Sequence, residues 1–110
     1  MKQYVLDQLR ESDYLKIMEY LGKNAEESVF SELFWIKLPP ELYTQTQKEH
    51  SQCHPFRFAV NLTRNDAAFE LLIRTPQAMR CACIGYANQK QRDYILDFAD
   101  KMLDKLEIKL

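Results

Sequence analysis

Glycine and proline are scarce, with 2 and 4 among 110 residues. That scarcity excludes collagen-like and low-complexity chains. Gly22 and Gly85 alone cannot build a phosphate-cradling loop or a dinucleotide fingerprint. No Gly-x-Ser-x-Gly elbow is present, and nothing local marks an oxyanion hole. No apolar run approaches the roughly 18 residues of a membrane span. Cysteine is sparse and odd in number, as Cys53, Cys81 and Cys83, which argues against a closed disulfide framework. The opening residues Met1 to Asp7 show no signal-peptide core, so a reducing cytoplasm is the expected compartment.

What the chain does contain is enough for one packed domain. Hydrophobic residues make up 46%, aromatics 12% and charged residues 28%, with a net charge of -1, which is not the composition of a disordered chain. Residues 1–110 are therefore expected to form a single α+β domain. The charge is unevenly spread. Residues 55–92 carry six basic and two acidic groups, a local +4 between two acidic flanks. Solvated strand edges account for this most simply, since basic side chains on exposed edges discourage sheet-to-sheet association; an anion-binding face is the minority reading.

Tyr14, Ile17, Met18 and Leu21 recur at helical spacing and predict a helix over 13–21, capped by Ser12 or Asp13 and stopped at Gly22. Residues 2–10 are read as an earlier turn of it. Asn24 and Glu27 resemble a capping pair, opening a second helix over 25–36 with Val29, Phe30, Leu33 and Phe34 inward. Residues 33–38 read equally well as a strand, because short apolar runs are ambiguous by period. A short helix is expected from Pro40 to Glu49.

The centre alternates. Phe56, Phe58, Val60 and Leu62 share one side of a strand, with Arg57, Ala59 and Asn61 on the other. Arg64-Asn65-Asp66 turns the chain into a second strand, Ala67 to Thr75. Pro76-Gln77 leads to a third, Met79 to Ala87. Asn88 then caps a helix with an apolar stripe of Ile95, Phe98, Ala99, Met102, Leu103 and Leu106. The expected architecture has two layers: N-terminal helices, a three- or four-stranded antiparallel meander, and an amphipathic C-terminal helix packed on the sheet.

Every cysteine and histidine falls in one of two short clusters, His50-Ser51-Gln52-Cys53-His54 and Cys81-Ala82-Cys83. Thiolate and imidazole are the donors that bind zinc tetrahedrally. Cys53, His54, Cys81 and Cys83 form one ligand set, with His50 as the alternative histidine. Against it stands geometry. A flat Cys-x-Cys strand holds its sulfurs about 6–7 Å apart, whereas two thiolates on one zinc lie within about 4.6 Å. The metal reading therefore demands a bend at Cys81. Otherwise the cysteines pack as small hydrophobic groups.

No catalytic residues are assigned. A Cys–His nucleophile lacks supporting features, and Asp93, Asp97, Asp100 and Asp104 alternate with lysines as on a solvated helix face. The leading functional expectation is a non-enzymatic interaction domain acting as a homodimer, with Phe34, Trp35 and Ile36 as its association surface. A zinc-stapled binding domain is the first alternative. Single-stranded nucleic-acid binding by a face bearing Arg57, Arg74 and Arg80 is the second, disfavoured by the acidic isoelectric point near 6.1.

Overall fold

Alternation in the central segment sets the architecture. In a computed structural model, which describes residues 1–30 and 32–110, Phe58, Val60 and Leu62 project from one side of strand β4 (Arg57–Leu62) and are fully buried. Strand β4 pairs antiparallel with β3 (Leu33–Lys37) and with β5 (Ala67–Glu70). Two short edge strands, β1 (Gln3–Leu6) and β2 (Glu26–Glu27), complete a five-stranded sheet of order β1-β5-β4-β3-β2. Helices α1 (Glu11–Asn24) and α3 (Gln89–Lys105) contribute Ile17, Leu21, Ile95, Ala99 and Met102 to the same core. Phe98 of α3 meets Phe58 and Phe69 edge-on or tilted, at 6.4 and 6.3 Å between ring centres. The chain is thus α+β, with its C-terminal helix packed on an antiparallel sheet. Among the described residues no helix is long and apolar enough to cross a membrane.

Several local expectations are corrected. Residues 3–6 are strand rather than helix, because Tyr4 and Leu6 continue the alternation opposite Phe69 and Ala67 of β5. Gln8, with φ of 55°, then turns the chain into α1. That helix is capped from Arg10, with Asp13 in its first turn. The Asp13 carboxylate accepts from the Arg10 backbone at 3.0 Å and from its guanidinium at 2.9 and 3.1 Å. The Arg10 guanidinium holds the Asp13 carboxyl below its usual range. Gly22 lies inside the helix, which runs on to Asn24.

Residues 33–37 are strand, and the alternative helix over 25–36 does not form. Glu26 and Glu27 instead pair with Trp35 and Phe34. Val29 and Phe30, expected inward, are 95% and 68% exposed in the connection between β2 and β3. The Pro40–Glu49 segment splits into a 3-10 turn (Pro40–Leu42) and helix α2 (Gln45–Glu49).

The meander shortens at its end. After β5 the chain leaves the main sheet and forms β6 (Leu72–Ile73), which pairs with β7 (Gly85–Tyr86). The third expected strand is thereby reduced to two residues, and Met79 to Ile84 lie in bends and turns. This departure from the meander brings the second cysteine cluster towards the first.

Candidate metal centre

Two chain segments build the site. In the first, Thr44 caps α2: its hydroxyl accepts from the Gln47 backbone at 3.1 Å, and its own N–H donates to Gln47 Oε1 at 3.0 Å. The helix ends at His50, where a 3-10 turn (Ser51–Cys53) follows. The Cys53 N–H donates to the His50 carbonyl at 2.9 Å, and this tight turn sets the imidazole and the thiol on one side. In the second segment the Ile84 N–H donates to the Cys81 carbonyl at 3.0 Å, closing a turn over 81–84. That turn supplies the bend that a flat strand would deny the two thiols.

The donor atoms of His50, Cys53, Cys81 and Cys83 all lie within 4.8 Å of one another. His50 Nδ1 is 3.1 Å from Cys81 Sγ. Tetrahedral zinc separates its ligand atoms by about 3.4–3.8 Å, from bond lengths of about 2.0–2.3 Å. Modest side-chain rotations therefore suffice to close the group on one ion. Cys53 and Cys83 are buried, while His50 and Cys81 are half-buried, so one side of the group faces outward. All three cysteines are free thiols.

Electrostatics divides the thiols. The Cys81 thiol is lowered to about 7, chiefly by the Cys83 backbone N–H, then by the Cys83 thiol, with smaller help from His50 and Cys53. Burial, with the neighbouring thiols, pushes Cys83 up to about 12. One thiolate is thus available near neutrality. A dication would displace the remaining protons, as metal binding to thiols does.

Of the two histidines weighed from the sequence, the structure brings His50 to the cysteines. His54 lies apart: its Nε2 is 2.8 Å from the Gln47 carbonyl, and its ring packs edge-on to Tyr43 and Phe56. The residues of the expected association surface fall on both faces of β3. Phe34 and Ile36 are buried on the core face of β3, while Trp35 stays half-buried on the other face. Phe56 and Phe58, which flank Arg57, are fully buried and present no ring face to a base. On α3, Asp97 pairs with Lys101 at 3.2 Å and Asp100 accepts from the Tyr4 hydroxyl at 2.9 Å, as a solvated face would.

Sequence reasoning passed over the polar clamp behind the site. Gln47 and Gln91 are both buried. Gln47 Nε2 donates to the Cys83 carbonyl at 3.2 Å. Gln91 Nε2 donates to Gln47 Oε1 and to the Leu42 carbonyl, each at 2.9 Å. Each glutamine also completes a capping box, with Thr44 and Asn88 respectively. The signal was therefore legible as Thr44-x-x-Gln47 and Asn88-x-x-Gln91. Gln91→Leu is expected to destabilise the domain by about 1–3 kcal/mol, since it strands buried acceptors. Chemical denaturation measures this, and an unchanged midpoint would remove the clamp from the account.

Comparison of the chain with protein families, with curated proteins and with solved structures finds no match to any of them.

Proposed function

We propose that this chain is a zinc-stapled binding domain. One zinc ion held by His50, Cys53, Cys81 and Cys83 would tie the α2 segment to the loop before β7. The convergence of four donor atoms within 4.8 Å carries the reading. Three sulfurs and one imidazole nitrogen form a soft donor set suited to zinc rather than to magnesium or calcium. The loop gives a reason for the staple. Between Pro76 and Ile84 only Cys83 is buried, so few apolar contacts fix that segment. Four protein ligands leave no open position for a substrate, which favours a structural ion over a catalytic one. Elemental analysis of gently purified protein is expected to give about one zinc per chain, and much less in Cys83→Ser. Stoichiometry near zero in the parent protein defeats the reading.

Self-association is a second reading, favoured by the exposure of Val29 and Phe30 between β2 and β3. Exposed apolar side chains gathered at one tip suit contact with a second copy. Glu26 and Glu27 on the edge strand β2 would discourage open-ended pairing there. Sedimentation is expected to show a dimer that dissociates in Phe30→Ser. A monomer at all concentrations rejects this reading.

A further inference from the structure

The face of the sheet turned away from the helices carries an unusual row. Lys37, Arg57 and Arg74 are successive cross-strand partners, so three cationic side chains lie side by side on one face. Adjacent like charges repel, and two of the three find counter-ions. Lys37 meets Glu26 at 3.2 Å, and Arg74 reaches Glu70 at 3.4 Å. Arg57 forms no ion pair among the described residues, and its Nε is buried without a hydrogen-bond partner. Its guanidinium lies over the Trp35 ring, 3.9 Å from the ring centre. That stacking holds the planar fork in place, and the nearest carboxylate, Glu26, acts on its charge only through space, without a direct ion pair.

Trp35, Arg57 and Arg74 floor a cavity of about 440 Å³, walled by the turn from Thr75 to Met79 and by Ile84. Its size lies in the range of small-ligand sites. We infer that this cavity binds a phosphate group, held by the forks of Arg57 and Arg74 beside Trp35. Two guanidinium groups suit a dianion, because each can give parallel N–H donors to phosphate oxygens. A small ligand fits better than a nucleic-acid strand. The wall encloses the arginines on one side, and the whole chain carries a net charge of -1. Both arginines and Trp35 belong to the sheet or its direct extension, so the anion-binding groups stand without the metal; only the outer wall, Pro76 to Met79 with Ile84, lies in the segment that the zinc would tie down.

Trp35 is the single tryptophan and lines this cavity as well as a neighbouring cleft beside Asn24 and Lys37, so the arginine variants are what assign its fluorescence response to the cavity. The test titrates the protein with inorganic phosphate and with AMP at fixed ionic strength, and with acetate and chloride as controls. A saturable fluorescence change is expected with phosphate or AMP, weakened about tenfold or more in Arg57→Gln and in Arg74→Gln. Far-ultraviolet circular dichroism checks that each variant is folded, and either folded variant suffices. Much tighter binding of AMP than of phosphate assigns a phosphomonoester ligand, whereas equal binding assigns the free anion. The inference is overturned by the absence of any saturable change. It is equally overturned if the response survives in the folded variants, or if acetate or chloride reproduces it.

Discussion

Chelating the metal from the zinc-loaded protein is expected to lower its melting temperature by on the order of 15 °C without unfolding it at room temperature. An ion that binds only the folded state stabilises it by about 4 kcal/mol when present at a thousand times its dissociation constant. For a domain of this size, each kcal/mol moves the melting temperature by several degrees, about 4–8 °C in the smaller domains. Residual folding is expected because the core extends well beyond Cys53 and Cys83, the two ligands that belong to it. Phe58, Val60, Phe69, Ile95 and Met102 are fully buried between sheet and helices and include none of the four ligands. This separates the chain from the smallest zinc modules, which have no core to fall back on. Cys83→Ser should reproduce the effect of chelation, since a hydroxyl is a poor substitute for a thiolate. His54→Ala should retain the metal, because His54 contacts Gln47, Tyr43 and Phe56 rather than the thiols. Calorimetry with and without chelator decides the matter, and identical melting in both would sink the staple.

The same contrast shows what could be read from the chain and what could not. The strand through Phe58, Val60 and Leu62 and the helix after Asn88 were legible because each carries one period over many residues. Residues 33–37 were not, since five residues fit either period; pairing with β4 decides for strand. The edge strand β1 escaped notice because its register is set by β5, some 60 residues away. At the candidate site the four ligand types were visible as clusters, but their convergence was not. It depends on a turn at Cys81–Ile84 that the apolar residues Met79 and Ile84 disguised as strand. The choice of His50 over His54 depends on where α2 ends, and a five-residue helix has no strong sequence boundary.

Phe58→Ala is expected to cost about 3–5 kcal/mol, the range for truncating a large buried aromatic side chain. Phe58 is fully buried on β4, opposite Ile36 of β3. Its ring also meets Tyr94 and Phe98 edge-on, at 6.5 and 6.4 Å between centres. Removing it opens a cavity where sheet and α3 join, and neither element can move in to fill the space without breaking pairings elsewhere. Domains of this kind have only about 5–15 kcal/mol of net stability, so the variant stands near the limit of folding. Leu15→Ala provides the control, because a side chain 58% exposed loses little packing, and substitutions at such sites change stability by about 0.5 kcal/mol or less. Urea denaturation distinguishes the two. The midpoint should fall sharply for Phe58→Ala with an unchanged slope, and hardly at all for Leu15→Ala. Equal midpoints would mean that the contact between α3 and the sheet does not hold the fold together. The core assigned to Phe58, Tyr94 and Phe98 would then be wrong.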